Sequence, residues 1–276
     1  MKKTLIRILN SLVSSFSNTS LGMYIYQVIV NNAMDKSIDF THNSLKLKFA
    51  IPNRLNVYRV DTFATKEPET LEWIESITKG AVLWDIGANV GLYTVYAAKL
   101  NDCIVYAFEP SVFNLELLAR NIFLNGLQDR VTIIPVALSD KKSENIFQMS
   151  STDWGGALST FGAGIDQNGK PMDGIFEYKT LGMSMADAIK DFNIHIPKYI
   201  KMDVDGIEHF ILRGGADVLN TVESVLLEIN EGFEEQSNES AKILIAAGLS
   251  LYKKCAVDSN NQFNQWWVRS EIQVKQ

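Results

Sequence analysis

Short apolar runs alternate with amphipathic helical patterns through the middle of the chain. Such runs are typical of buried strands, and we predict them at 81–86, 103–108, 131–138, 198–203 and 224–229. Strands that alternate with helices form a parallel sheet covered on both faces. Two further runs, at 249–257 and 263–270, predict an antiparallel hairpin at the sheet edge. Together they predict an α/β fold with a mostly parallel seven-stranded sheet.

The N-terminal part of the chain has a different pattern. Residues 1–36 read as helical, and 45–64 alternate as strands around a Pro-Asn turn. We therefore predict a helix and strand extension over 1–66 and the main domain over 67–276. The first helix has an apolar stripe made of Leu5, Ile8, Leu9, Leu12, Val13 and Phe16. We expect the stripe to pack on the domain or on a second copy in a homo-oligomer, with a membrane surface as the alternative.

A glycine-rich stretch interrupts the strand and helix pattern at 148–180. Long irregular segments in compact domains are usually lids or binding loops. Because this one follows the third predicted strand, we expect an inserted substrate loop above the carboxyl ends of the strands. Trp154 and Phe161 within it could stack on a sugar ring.

Charge and cysteine content narrow the setting. The net charge is -6 and the sequence contains no run of lysines or arginines, so we expect no nucleic-acid partner. Two cysteines without metal-type spacing, Cys103 and Cys255, suit a reducing compartment. No apolar stretch approaches the ~20 residues of a transmembrane helix. We therefore expect a cytoplasmic protein without a transmembrane segment.

The segment from Asp85 to Gly91 lies between a predicted strand and helix and carries candidate cofactor chemistry. Its glycines allow a tight turn and close approach to a ligand. A pyrophosphate site would need glycine where Asn89 stands, and the carboxylate of Asp85 suits a cationic ligand such as S-adenosylmethionine. Glu109 ends the second strand, where an acid can bind ribose hydroxyls. A nicotinamide-dependent oxidoreductase or a non-catalytic nucleoside-binding protein remains an alternative.

Five motifs follow one another in a specific order: DIGANVGLYT, AFEP with Asn114 beyond it, PVALSD, IKMDVDGIE and LLEIN. In this order they resemble the FkbM family of class I methyltransferases, over roughly residues 67–270. The resemblance implies a Rossmann-like class I methyltransferase fold and methyl transfer from S-adenosylmethionine. It also implies an acceptor hydroxyl on a sugar, a glycan or a natural product.

The resemblance also assigns cofactor contacts to residues of this chain. Those at the methionine end and sulfonium would be Asp85, Gly87, Asn89, Gly91 and, beside the reaction centre, Asp203. Thr94 would contact the methionine carboxylate, and Glu109 would hold the ribose. The neighbours of the adenosine would be Pro110, Asn114, Ala137, Ser139 and Asp140. Asp205 departs from the family, which more often has Glu there, so the reach of that carboxylate is shorter.

Acidic residues cluster after the fourth predicted strand. The Asp-Val-Asp-Gly sequence there is unlike the Asn/Asp-Pro-Pro-Tyr/Phe of enzymes that methylate amide nitrogens. An oxygen acceptor is favoured, and it needs a general base. We expect Asp203 at the reaction centre and Asp205 or His209 as the base.

A metal-assisted mechanism is the alternative. Asp203, with Glu228 or Asn230 from the end of the fifth strand, would supply the oxygen ligands that Mg²⁺ prefers. The ion would then lower the pKa of the acceptor hydroxyl.

Overall fold

The computed structural model describes residues 2–257 and 261–270. Two helices come first, α1 (Lys2–Ser17) and α2 (Ser20–Asp35). An antiparallel hairpin follows, β1 (Ser37–His42) and β2 (Leu45–Ala50). Two short helices, α3 (Arg54–Asp61) and α4 (Pro68–Glu75), then lead into the sheet.

The remaining described chain alternates strands and helices. Its strands are β3 (Val82–Ile86), β4 (Ile104–Phe108), β5 (Val131–Ile134), β6 (Ala137–Leu138), β7 (Ser143–Met149), β8 (Ser159–Phe161), β9 (Phe176–Met183), β10 (Tyr199–Met202), β11 (Ser224–Asn230), β12 (Leu249–Ala256) and β13 (Gln262–Arg269). Its helices are α5 (Leu92–Leu100), α6 (Val112–Leu124), α7 (Met185–Phe192), α8 (Glu208–Gly214), α9 (Ala216–Leu219) and α10 (Glu234–Ala246).

The largest sheet has seven strands in the order β12-β13-β11-β10-β3-β4-β5. The five strands from β11 to β5 are parallel, whereas β13 is antiparallel to both β11 and β12. The predicted seven-stranded, mostly parallel α/β sheet with an edge hairpin is therefore confirmed. Side chains alternate between its faces, so Ile86 and Phe108 pack on one side and Leu83 and Val105 on the other.

The segment 45–64 was predicted as two strands, and its second half is instead helix α3. Asn53 begins this helix, because its side chain accepts a hydrogen bond from the backbone N–H of Asn56. The hairpin turn lies earlier, at Asn43 and Ser44, whose φ angles are 46° and 66°. The alternation was real, but the Pro-Asn pair starts a helix rather than a turn.

The third predicted strand, 131–138, is two strands in different sheets. Its first half is β5 of the large sheet, and its second half, β6, pairs in parallel with β9. The stretch 148–180 is also less irregular than predicted. It begins and ends in β7 and β9, which pair antiparallel along their whole length in a smaller sheet of order β6-β9-β7-β8.

Helices α1 and α2 contact each other, but the apolar stripe of α1 is exposed along its length. The expectation that this stripe packs on the domain is wrong. The inner end of α2 is attached, because Met34 packs beside Val90 and Leu117. None of the described helices is both long and apolar enough to cross a membrane.

Candidate functional site

The turn after β3 brings the chain into close contact with its two neighbouring strands. The backbone N–H groups of Gly87 and Ala88 both donate to the carbonyl of Phe108, each with an N···O distance of 3.0 Å. Gly87 has a φ of +81°, and a Cβ placed there would lie 1.9 Å from the carbonyl oxygen of Asp203. Because any side chain here would clash with that carbonyl, only glycine fits this position.

Glu109 lies opposite this turn, at the end of β4. Its Oε2 accepts a hydrogen bond of 2.7 Å from the N–H of Asn89, and its Oε1 accepts one of 2.8 Å from Ser111. Asn89 adopts a left-handed φ of 51° to make this contact. Burial raises the pKa of Glu109 to about 7, although both backbone hydrogen bonds oppose the rise.

A small cavity of about 60 Å³ lies against Glu109. Of the predicted cofactor residues, those that line it are Gly87, Asn89, Glu109, Pro110, Asn114, Ala137 and Asp203. Its apolar walls include Phe108, Val136 and Phe161. A buried carboxylate beside an apolar slot supplies the hydrogen-bond acceptor and the apolar wall that a nucleoside needs, so these residues suit the adenosine half of S-adenosylmethionine.

Other predicted cofactor residues lie behind the cavity walls. Asp85 is 1% exposed, accepts a hydrogen bond from the Thr94 hydroxyl and lies 4.0 Å from the Lys201 ammonium. Burial raises the pKa of Asp85, while Lys201 and Thr94 act against that rise. Its charge therefore has an internal partner. Gly91 precedes α5 and has a left-handed conformation. The backbone N–H of Ser139, directly after β6, donates a hydrogen bond to the carbonyl of Met183.

A larger cavity of about 400 Å³ adjoins the small one, and Asp203 and Asp205 line both. Besides these acids and Glu228, it is lined by residues that sequence reasoning missed: Arg59, Lys66, Glu67, Tyr93 and Lys201. The first three come from the segment that leads from α3 to α4. Lysine inside the apolar β10 was a signal for Lys201, since a buried lysine needs a partner.

Lys201 connects the acids of the site. It is 5% exposed, and its Nζ lies 3.5 Å from Oδ2 of Asp203. Burial acts to lower its pKa, but the charges of Asp203 and Asp85 outweigh burial and hold the pKa above the ordinary value. Lys201 is therefore a cation at neutral pH and holds Asp203 on the cavity wall.

Two carboxyl groups of the larger cavity have raised pKa values. Burial and the charge of Asp203 raise the pKa of Asp205 to about 7 and that of Glu228 to about 9. Asp205 has a φ of 59°, and its Oδ2 accepts a hydrogen bond of 3.2 Å from the N–H of Ser159. At neutral pH, Glu228 is a proton donor, and Asp205 exchanges between its two forms.

Glu208 holds the turn that carries Asp205. Its carboxylate accepts hydrogen bonds of 3.1 Å from the N–H groups of Val204 and Gly206, and another from the side-chain amide of Gln236. Burial raises the pKa of Glu208 to about 7. Sequence reasoning assigned no role to Glu208, although it lies only three residues after Asp205.

His209 does not reach either cavity. It is fully buried in α8, neither ring nitrogen has a hydrogen-bond partner among the described residues, and its ring is tilted by 36° against that of Phe210 with 4.1 Å between centroids. Burial lowers its pKa. As a candidate base it has no path to an acceptor, because its ring packs against Phe210 and Phe233 and lines neither cavity.

Of the predicted Mg²⁺ ligands, Asp203 and Glu228 line the same cavity, but Asn230 does not line it. The Asn230 side-chain amide donates to Gln167 and Asn168, and its oxygen accepts from Gly232. Asp203 is paired with Lys201 instead. Over residues 2–257 and 261–270, no three His, Cys, Asp or Glu side chains converge in a way that could hold a metal ion.

This chain matches a known protein family and is similar to a known methyltransferase. The family described as "Methyltransferase FkbM domain" matches residues 85–257, which is more than half of the chain. The Hexuronic acid methyltransferase AglP of Haloferax volcanii is 26% identical over 210 residues, which cover 74% of this chain and 77% of that protein.

Two solved structures are similar to this chain at low sequence identity. Methyltransferase FkbM from Methylobacillus flagellatus is 14% identical with a TM-score of 0.48, covering 78% of this chain and 55% of that longer one. TYW2 from M. jannaschii, solved with AdoMet, is 13% identical with a TM-score of 0.45, covering 84% and 86%.

Proposed function

Because this chain belongs to the FkbM family of S-adenosylmethionine-dependent methyltransferases, we propose that it methylates a hydroxyl oxygen of a sugar or glycan. The family assignment removes the nicotinamide-dependent alternative. The observation that carries the proposal is the cavity of about 400 Å³ that shares Asp203 and Asp205 with the smaller cavity at Glu109. An acceptor held there adjoins the cofactor crevice.

In the proposed arrangement, the chain divides the two substrates between the two cavities. Glu109 accepts hydrogen bonds from the ribose hydroxyls, and Asn114 and Ala137 border the adenine. When bound, S-adenosylmethionine supplies an electrophilic methyl group. Asp203, on the wall common to both cavities, orients the acceptor at the boundary.

Asp205 is the general base in this proposal. A hydroxyl is a weak nucleophile until it loses its proton, and a base works best when its pKa lies near the working pH. The pKa of Asp205, about 7, meets that condition. The hydrogen bond from Ser159 fixes one of its oxygens and leaves the other to accept the proton.

Glu228 and Lys201 have complementary roles. Glu228, with a pKa of about 9, keeps its proton and donates a hydrogen bond to an acceptor oxygen. Lys201 forms an ion pair with Asp203 over a distance of 3.5 Å. This combination of hydrogen-bond donors and acceptors on the cavity wall favours a polyhydroxylated acceptor, because each hydroxyl can bind either a donor or an acceptor.

A sugar acceptor is supported by the polar lining and by the relative that methylates a hexuronic acid. Side chains that can bind several hydroxyls line the cavity: Arg59, Lys66, Gln167 and Gln262. A cavity of this volume lies within the range of small-molecule sites, ~300–1,000 Å³. A non-sugar natural product is the second candidate, supported by the aromatic Tyr58 and Tyr93 on the same wall.

The test is a labelled-methyl assay with purified full-length protein over nucleotide sugars, glycosides, free hexuronates and phenolic natural products. The proposal expects label on a sugar that survives mild alkali, as a methyl ether does. Label released by mild alkali would indicate a carboxyl ester, and label only on phenols would favour the second candidate. Either outcome would overturn the hydroxyl of a sugar as acceptor.

The role of Asp205 has its own test. Asp205→Asn is expected to lower kcat by roughly 10²–10⁴-fold while S-adenosylhomocysteine binds as before, since general-base catalysis contributes about that much. Asp205→Glu, which keeps the charge, is expected to retain most activity. Asp153→Asn in the neighbouring exposed loop is the control. An unchanged kcat in Asp205→Asn would refute the assignment.

A further inference from the structure

Helices α1 and α2 present an apolar surface that the described chain leaves uncovered. The stripe of α1 is about half exposed at each position, and Leu12 reaches 62%. On α2, Leu21 is 67% exposed and Ile29 is 60%. Apolar patches of this extent mark interaction surfaces, because water contact over them is unfavourable.

Charge is segregated along the chain in the same place. Residues 1–34 contain three cations, Lys2, Lys3 and Arg7, and no aspartate or glutamate. Since the whole chain has a net charge of -6 and this segment contributes +3, the rest carries -9. A cationic apolar segment on an acidic body is complementary to an anionic surface, while the body itself is repelled.

The geometry of α1 points to a surface rather than a span. Helical spacing sets Arg7, Asn10 and Ser14 on the face opposite Leu5, Leu9, Leu12 and Phe16. Each helix has 16 residues, or about 24 Å at ~1.5 Å per residue. A bilayer core is ~30 Å thick, and amphipathic cationic helices lie in its interface.

Helix α2 adds two features of an interfacial element. Tyr24 and Tyr26 are exposed on it, and tyrosine favours the boundary between lipid and water. Its inner end is fixed by Met34 in the cluster around Val90 and by the Asp35–Arg120 ion pair of 3.2 Å. Helices α1 and α2 are thus attached to the domain beside the turn that follows β3.

From the exposed apolar face, the segregated charge and the helix length, we infer that α1 and α2 dock on the surface of an anionic lipid bilayer. A second copy of the chain would also cover apolar surface, but its own residues 1–34 contain no aspartate or glutamate, so this segment would offer the three cations no opposite charge. The lipid surface satisfies both the apolar and the cationic side chains.

The test is co-sedimentation of full-length protein with vesicles of phosphatidylglycerol and phosphatidylcholine, compared with phosphatidylcholine alone. We expect binding to the anionic vesicles that weakens with salt. Reversing the three cations (Lys2→Glu, Lys3→Glu, Arg7→Glu) should lower the partition coefficient by roughly 100-fold or more. Reversing the exposed Lys141, Lys190 and Lys242 to Glu makes the same change in net charge and should leave binding largely intact.

A second pair of changes, Leu9→Ser and Leu12→Ser, should also weaken binding because it removes apolar contact. Circular dichroism checks that each variant is folded, and analytical ultracentrifugation reports association. Equal partition onto both vesicle types, no partition onto either, or equal losses in the two charge-reversed variants would overturn the inference. So would a dimer that the Leu9 and Leu12 changes dissociate. None of these readouts depends on the acceptor.

Discussion

The Asn89 N–H and the Glu109 carboxylate are joined by a hydrogen bond of 2.7 Å between the ends of two adjacent parallel strands. With the Ser111 N–H on its other oxygen, the carboxylate has one bond from the chain on each oxygen. The same carboxylate lines the small cavity. A buried acid that is oriented but not paired with a cation is poised for a neutral polar ligand, as a ribose is.

This relationship predicts a pH-dependent affinity for S-adenosylhomocysteine. Burial raises the pKa of Glu109 to about 7, and ribose hydroxyls donate to the ionised form. Affinity should therefore rise with pH through about 7 and level off only once the carboxylate is fully ionised. Calorimetry between pH 5.5 and 8.5 measures this.

Glu109→Gln should weaken binding by about 10–100-fold and remove the pH dependence, since an uncharged amide replaces two charge-assisted acceptors. Glu144→Gln, at an exposed strand position, is the control. A wild-type affinity that does not vary with pH would contradict the assignment of the ribose to Glu109.

Gly87 and Gly80 allow a matched test of close packing. Both have positive φ, +81° and +75°, but a Cβ at Gly80 meets nothing within 4 Å, whereas one at Gly87 strikes the Asp203 carbonyl. Gly80→Ala should cost only the left-handed strain, about 1–2 kcal/mol. Gly87→Ala should cost more than ~3 kcal/mol of unfolding free energy and abolish cofactor binding. Urea denaturation measures both, and equal losses would show that the close approach is not needed.

The cofactor turn could be predicted from sequence because its constraints are local. Gly87 and Glu109 follow strands whose apolar runs are visible, and parallel strands end at one edge. Asp85 shows the limit of the method. Its charge suggested a cation in the ligand, but the cation beside it is Lys201, from a strand more than a hundred residues away. No local pattern reveals such a pairing.

The acceptor side could be predicted less well. Arg59 lines the larger cavity from helix α3, where the sequence suggested a strand, and Glu67 lines it from the segment that follows. His209 was chosen for its chemistry and its closeness in sequence to Asp205. Its position on helix α8 places it away from the cavity. The 3.6-residue period alone does not reveal this, because it does not say which face of the helix is buried.

His209 therefore provides a prediction about stability. Its imidazole is buried with both nitrogens unpartnered, between Phe210 and Phe233. Burying a polar group without a hydrogen bond costs about 1–3 kcal/mol. His209→Phe should leave kcat unchanged and raise the unfolding free energy by about 1 kcal/mol. Loss of activity in a folded His209→Phe protein would return this residue to the list of bases.

Residues 154–161 border the small cavity, and we predict that they move when a ligand binds. The Gly156 carbonyl of this segment accepts hydrogen bonds from the side chains of Asn89 over 2.8 Å and Asn114 over 3.2 Å. The cavity that it closes, about 60 Å³, is smaller than the ~300 Å³ of typical ligand sites. A nucleoside can enter only if this segment moves, so we expect it to be a gate that closes on the ligand.

Hydrogen exchange measures that motion. S-adenosylhomocysteine should slow exchange in peptides over 153–161 and leave β12 peptides unchanged. Asn114→Ala, which removes the tether, should speed exchange over 153–161 without ligand, because local opening no longer breaks that hydrogen bond. Asn145→Ala, on the nearby exposed strand β7, should not. Equal exchange over 153–161 with and without ligand would rule out the gate and leave the cavity to open elsewhere.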